Sequence, residues 1–251
     1  MNTRFNPTCN GPLHVGHLYM VLVNYHMAKA SGGKFIVRFD DDQPYWIERL
    51  GRDGLQKFSE GMQEDLAWFG LQVDEWTYES KAREANEAMA AGLLMPNITP
   101  TDADFAKMPG GCWTYPYVPY LTLVKVIQDH REGIDTLIRG EDLVTEFALY
   151  HYFCHILKIP VPTLYYLPRL RQLVHSFWGM GAKELELSDV SKTAGNCKLA
   201  EFRERGWTPT QVTNMLAASC LQDPAKGWTF ENVKVRPYLE MGERDDWKID
   251  K

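Results

Sequence analysis

Several protein classes are excluded by what this sequence has little of. Its five cysteines, Cys9, Cys112, Cys154, Cys197 and Cys220, are scattered, odd in number and contain no Cys-x-x-Cys pair. Neither a disulfide framework nor a cysteine-based zinc site is expected from them. The apolar run over residues 19–23 is far shorter than the ~20 residues a membrane-spanning helix needs. The first seven residues show no apolar stretch behind a basic start, so no secretory signal is expected and the expected compartment is the cytoplasm. Basic charge is also scarce. Lys and Arg number 27 against 33 Asp and Glu, a net charge of −6, which argues against a generic basic coat for nucleic acid. It leaves room for a local basic groove. Internal repeats and low-complexity tracts are lacking as well. What remains is a chain of 251 residues, 45% hydrophobic and 24% charged, suited to one large globular domain with or without a small appendage.

The pattern along the chain predicts an α/β fold. Residues 4–7 read as a short strand entering a loop, Pro7-Thr8-Cys9-Asn10-Gly11-Pro12, full of helix and strand breakers. Apolar residues at helical spacing follow over 18–30 and stop at Ser31-Gly32-Gly33. Residues 34–39 read as a buried strand ending in Asp40-Asp41-Asp42. Strand, helix and strand make a parallel β-α-β unit, whose first loop lies where α/β folds place ligands. Helices are predicted over 52–69, 81–94 and 143–157, with a break at 95–116. Strands are predicted over 121–127, 136–139 and 163–167. Segments 198–205 and 209–220 look like a helical pair split at Gly206, followed by a polar tail. The expected division is a Rossmann-like body over 1–187 and a small helical region with its tail over 188–251.

Three local patterns carry chemistry. In Leu13-His14-Val15-Gly16-His17, two imidazoles at i and i+3 share one face of a first helical turn. Gly16 removes a side chain where a flat ring could lie against the backbone. A helix N-terminus favours phosphate, and imidazole N–H groups can donate to phosphate oxygens as their charge grows. The bland alternative is a solvated or metal-binding pair. In Ser191-Lys192, a lysine on a small loop could clamp a phosphate, although most lysines are simply solvated. In Arg139-Gly140-Glu141-Asp142, Arg139 could fork onto a carboxylate while Glu141 or Asp142 takes ribose hydroxyls; an internal ion pair is the plain reading. His151 and His155 share a helix face beside Cys154, but no catalytic Glu lies between them and no third ligand is evident, so no metal is expected. The eight Trp residues read as packing residues more than base-stacking platforms.

Taken in order, these segments resemble the catalytic domain of glutamyl-tRNA synthetases, class I aminoacyl-tRNA synthetases. The resemblance rests on residues 4–17, 33–42, Glu64 to Leu71, Tyr78-Glu79-Ser80, the stretch from Tyr117 to Tyr120, Asp129-His130, 138–142, 190–192 and 201–207. It implies a Rossmann-like class I fold and formation of an aminoacyl-adenylate from ATP with Mg²⁺. By resemblance, His14 and His17 contact the ATP phosphates and Lys192 neutralises the pyrophosphate, with Gly16, Glu141, Asp142 and Ser191 at the nucleotide. Arg4, Tyr120 and Arg139 hold the amino acid, Arg139 taking the side-chain carboxylate of glutamate. Asp40 stands where the family usually has Glu and would hold the α-amino group with a shorter reach.

The departures from the family are informative. The segment over 95–116 is short for the insertion that grips the tRNA acceptor end, and nothing after residue 220 is long enough for an anticodon-binding domain. Asp189 stands where the family's first loop lysine normally sits, and 169–188 looks longer than usual. The expected function is therefore glutamate activation with transfer to an acceptor other than whole tRNA: a small amine, a modified nucleotide or base, or a carrier. The alternatives are glutamylation of tRNA or of a modified tRNA base, and a non-catalytic paralog that binds an amino acid or nucleotide.

Overall fold

The sheet begins with β1 (Thr3–Phe5), whose three residues are all buried. The computed structural model describes residues 1–93, 117–140, 143–167, 171–175, 185–189, 198–229, 232–233 and 236–237. From β1 the chain enters α1 (Val15–Ala30) and returns in β2 (Phe35–Phe39), which pairs parallel to β1 with Arg4 opposite Ile36. Next come α2 (Pro44–Trp68), β3 (Glu75–Tyr78), parallel to β2, and α3 (Glu79–Leu93). The second half supplies α4 (Tyr117–Arg131), β4 (Thr136–Gly140), α5 (Val144–Leu157) and β5 (Thr163–Leu167), with β4 and β5 parallel. A hairpin of β6 (Arg171–His175) and β7 (Leu185–Asp189) follows, then α6 (Leu199–Glu204), α7 (Pro209–Cys220) and β8 (Arg236–Pro237), which lies antiparallel on β5.

The two halves meet at β1 and β4. The Asp135 and Thr136 amides both donate to the Asn2 carbonyl at 3.2 Å, and the Asn2 amide donates to Asp135 Oδ1 at 2.8 Å. The described strands thus run in the order β3-β2-β1-β4-β5, with the chain direction switching between β1 and β4. This is the doubly wound arrangement, and its ligand crevice lies at the carboxyl ends of the strands beside the switch.

Alternation along the strands explains why helices cover both faces. Phe35, Val37 and Phe39 of β2, with Phe5 and Ile138, pack against α1, Leu55, Met62 and Leu66 of α2, and Val212 and Leu216 of α7. Ile36, Leu137, Leu164 and Tyr166 face the other way, onto Val126 and Ile127 of α4 and Phe147, Tyr150 and Phe153 of α5. Leu199, Val212, Leu216 and Cys220 from the C-terminal helices therefore belong to the same core as the first β-α-β unit.

Most predicted elements stand within a few residues of their expected bounds. Residues 121–127 are the exception: they form part of a helix, α4, where a strand was expected. Their Leu, Val and Ile run suits either element, and short apolar runs are not resolved by composition. The buried positions Thr122, Val126 and Asp129 recur at helical spacing, and covering the sheet face decides the outcome. The second helix also begins earlier than predicted, at Pro44, with a kink where Gly51 takes a φ of 70°. Among the described residues no helix is long and apolar enough to cross a membrane.

Candidate active site

The crevice beside the switch collects the carboxyl ends of β1, β2 and β4 and the N-terminus of α1. β1 and β2 stay together past their ends. The Asp40 amide donates to the Pro7 carbonyl at 3.0 Å and the Cys9 amide to the Asp40 carbonyl at 3.1 Å. This turns the loop from Asn6 to Leu13 across the mouth of the crevice and delivers the histidines to its rim.

His14 is the N-cap of α1, with extended backbone (φ −131°, ψ 171°). Its Nδ1 accepts from the Gly16 amide at 3.1 Å, while the His14 amide donates to His17 Nδ1 at 3.4 Å. The pair thus forms a reciprocal capping box from two imidazoles, in place of the usual Ser/Thr and Glu. The rings stack with centroids 3.8 Å apart and planes 27° from parallel. An Nδ1 that accepts a backbone N–H holds no proton, so the geometry sets the neutral tautomer with the proton on Nε2. Two oriented donors at a helix N-terminus suit an anionic phosphate. Gly16 matters for this arrangement: a Cβ there would stand 3.0 Å from His14 Cε1 and 3.1 Å from its Nδ1, displacing the ring.

On the opposite side of the same turn, Lys198 bridges His14 antiparallel and the Leu199 amide donates to the Leu13 carbonyl at 3.0 Å. The chain leaving the Ser191-Lys192 segment therefore arrives beside the histidines. Ser191 and Lys192 themselves lie outside the described residues, as do Glu141 and Asp142. Tyr120 lies in the first turn of α4, and its side chain is outside the described set. Arg139 lies one residue from the carboxyl end of β4, opposite Tyr166 of β5 and only 6% exposed.

Asp40 follows the end of β2 and is 2% exposed. Its Oδ2 accepts from Thr8 Oγ1 at 3.0 Å and from Gln43 Nε2, and lies 3.9 Å from Lys125 Nζ. Its Oδ1 is buried without a hydrogen-bond partner. Glu79, the first residue of α3, is buried next to this group and accepts from Asn6 Nδ2 at 3.1 Å. Burial, then the charge of Asp40, pushes the Glu79 carboxyl up to about 7, against the pull of Lys125, Arg38 and Asn6.

Arg4 sits beneath this pocket. Its Nε and Nη2 fork onto Asp129 of α4 at 2.6 and 2.9 Å, and the residue is 4% exposed. Arg38 Nη1 lies 2.7 Å from the same carboxylate, and Arg38 also bonds Glu132. The Tyr150 hydroxyl donates to Asp129 Oδ2 at 2.9 Å. Burial alone would raise the Asp129 carboxyl, but Arg4 and Arg38 hold it well below the usual carboxylate range. Arg4 thus donates to a protein carboxylate through Nε and Nη2.

The structure brings His14, His17, Gly16 and Asp40 to one rim, with Arg139 at the strand end beside the switch. Sequence reasoning passed over Asn6, Glu79 and Lys125 as site residues. Asn6 lies at the end of the first predicted strand, which was the available signal, whereas Glu79 follows β3, where no strand was predicted. Lys125 carried none, because it lay in a segment read as a strand. On α5, Cys154 faces the core while His151 and His155 stay exposed. Among the described residues no group of three or more His, Cys, Asp or Glu side chains converges on a metal-sized site.

Comparisons with known proteins show what this chain is similar to. Residues 1–97 match the family of class I tRNA synthetases (E and Q), catalytic domain. Glutamate–tRNA ligase 2 of Dinoroseobacter shibae is 39% identical over 111 residues, covering 42% of this chain and 24% of that protein. Glutamate–tRNA ligase 1 of Roseobacter denitrificans is 24% identical over 292 aligned positions, covering 89% of this chain and 62% of its own. The crystal structure of a glutamate tRNA ligase from Elizabethkingia meningosepticum, in complex with its amino acid, superposes with a TM-score of 0.63 at 18% identity. That match covers 96% of this chain and 63% of the other. In these matches the chain covers 24% to 63% of the other protein.

Proposed function

We propose that this chain, a glutamyl-tRNA-synthetase-like class I synthetase domain, activates glutamate or a close analogue with ATP and passes it to an acceptor. The observation that carries the reading is the imidazole capping box of His14 and His17, with Lys198 bridged to it. It supplies Nε2–H donors at a helix N-terminus, where phosphate oxygens gain charge in a transition state. The reaction is an in-line attack. A substrate carboxylate oxygen forms a bond to the α-phosphorus of ATP as the bond from that phosphorus to the bridging oxygen breaks. The bridging oxygen and its electron pair leave with pyrophosphate. No protein nucleophile is needed, so catalysis comes from positioning and charge stabilisation.

The assignments follow the resemblance, and the positions of His14, His17, Asp40 and Arg139 at strand ends and a helix N-terminus support them. His14 and His17 meet the phosphates, and Lys192 and Ser191 serve the leaving pyrophosphate. Arg139 takes the side-chain carboxylate, Asp40 the α-ammonium, and Glu141 and Asp142 the nucleotide. Arg4 acts from beneath, holding β1 to α4 through Asp129. Mg²⁺ normally travels with the phosphates and needs few protein ligands, which fits a crevice without a dedicated cage among the described residues. When bound, it supplies charge neutralisation on the triphosphate.

Two features support an acceptor other than whole tRNA: the short segment at 95–116 and the net charge of −6. The similarity to tRNA ligases supports the second reading, an RNA or modified-base acceptor. The reaction places the enzyme where ATP and free amino acids are, in the cytoplasm. The decisive test is amino-acid-dependent ATP–pyrophosphate exchange without RNA, with His14→Ala and Lys192→Ala alongside. Exchange with glutamate that both substitutions abolish is the expected result. Exchange only after adding total RNA selects the RNA reading, and no exchange under any condition overturns both.

A further inference from the structure

Where β1, β2 and α3 meet, two buried hydrogen-bond acceptors lack a donor. Asp40 Oδ1 is buried and without a hydrogen-bond partner, on a residue 2% exposed. Asn6 Oδ1 is buried and unpartnered as well. The Asn6 amide has the orientation its surroundings require, because its Nδ2 donates to both the Arg38 carbonyl at 3.0 Å and Glu79 Oε1 at 3.1 Å. Glu79 is a carboxyl group 5% exposed, and Asp40 is the neighbouring charge that disfavours its ionisation most. Lys125 Nζ, 3.9 Å from Asp40 Oδ2, is too distant to hydrogen-bond and leaves Oδ1 unserved. Buried acceptors of this kind are normally paired.

The charge count points the same way. Three cations, Arg4, Arg38 and Lys125, stand among the carboxylates of Asp40, Glu79, Asp129 and Glu132, with Asp41 alongside and held by the Ser80 amide and hydroxyl. Asp129 and Glu132 are satisfied by the two arginines. The excess negative charge therefore falls on Asp40 and Glu79. One further cation with several N–H donors would balance both counts. A metal ion is a poor candidate, since no third His, Cys, Asp or Glu joins them among the described residues.

We propose that Glu79 and Asn6 join Asp40 as the seat of the substrate's ammonium group, with Glu79 the member that exchanges a proton when the ammonium arrives. The proposal rests on the amino-acid-binding reading of this crevice and adds two residues to it. Glu79 reaches where the short Asp40 side chain does not. In the empty site a proton on Glu79 relieves the excess negative charge. In the filled site the ammonium takes that place, and the proton leaves to solvent. The groups around Glu79 are Asp40 and Asp41 after β2, Arg38 within β2, Lys125 on α4, Arg4 in β1 with Asn6 just after it, and the Cys9 thiol in the loop, which burial holds protonated.

The test is calorimetric titration with L-glutamate, without ATP, in two buffers of different ionisation heat, at pH 6 and pH 8. Wild type is expected to release close to one proton per glutamate at pH 6 and almost none at pH 8, with affinity about tenfold weaker at pH 6. Glu79→Gln, which keeps an oxygen for the Asn6 amide, is expected to release none and to bind equally at both pH values. Glutarate, which lacks the amine, is expected to bind wild type without proton release. Glutamate binding whose proton release persists in Glu79→Gln overturns the seat while leaving the activation reading intact. If wild type binds no glutamate, ethylammonium serves as the second probe. Proton release with it keeps the seat and overturns the glutamate reading; no release with either probe overturns the seat. A Glu79→Gln protein that fails to fold leaves the wild-type comparison of glutamate with glutarate to decide.

Discussion

The histidine turn and the Arg4–Asp129 network both rest on polar side chains, and they differ in where their hydrogen bonds lead. In the network, two guanidinium groups and a tyrosine hydroxyl converge on one buried carboxylate, so protein answers protein. In the turn, backbone amides occupy both Nδ1 atoms and leave the protons on Nε2, at a rim only partly covered. The first arrangement stabilises the crossing of β1 under α4. The second is the one assigned to the phosphates in the proposed reaction. On that reading, neighbouring polar groups divide between stability and chemistry, and substitutions can separate the two.

The largest effect is expected on the network side. Asp129→Asn leaves two buried guanidinium groups facing a neutral amide, and stability measured by urea unfolding is expected to fall by about 3–5 kcal/mol. His17→Ala is expected to reverse the pattern. ATP–pyrophosphate exchange should drop ~100-fold or more, with a loss of only ~1 kcal/mol in stability from the broken cap. An equal loss of stability from both would erase the distinction.

The two buried carboxylates should also give opposite pH signatures. Asp129 has a lowered folded-state pKa, so its contribution is complete above the unfolded value of ~3.9 and is lost as pH falls below it. Glu79, raised to about 7, favours the folded state most below its unfolded value of ~4.3 and loses that advantage as pH rises to 7. Glu79→Gln should remove this decline, up to ~1.4 kcal/mol per pH unit, in unfolding curves taken from pH 5 to 8. Gly16→Ala is a finer probe. Displacing the His14 ring by a few tenths of an ångström is expected to reduce exchange roughly tenfold. The melting temperature should hold or rise, because Ala favours a helix by ~1 kcal/mol. The smallest effect is expected far from the crevice. Thr208→Ala removes the N-cap of α7, lowering stability by ~1 kcal/mol and leaving exchange unchanged.

Much of the site could be read before the fold was known, because it depends on local spacing. His14, Gly16 and His17 fall within one helical turn, and their relation follows from helix geometry alone. Asp40 was marked by its position after a strand. Glu79 and Lys125 were different. Glu79 opens a helix 39 residues beyond Asp40, and nothing local says the two carboxylates share a burial site. Lys125 was hidden by the strand assigned to 121–127, where propensity was overridden by the need to cover a sheet face. Arg4 shows the same limit from the other side. Its pairing with Asp129, 125 residues away, is invisible in any local pattern.

The sequence by itself determined the elements that arise from short-range physics: the first β-α-β unit, the histidine turn and its glycine, the terminal helical pair split at Gly206, and a resemblance that named the chemistry. Tertiary structure alone decided which charges are paired and which are left over. Burial removes water as a partner, so each buried charge must be answered by whatever side chain the fold brings within reach. That outcome depends on contacts between residues remote in sequence, which no local pattern encodes.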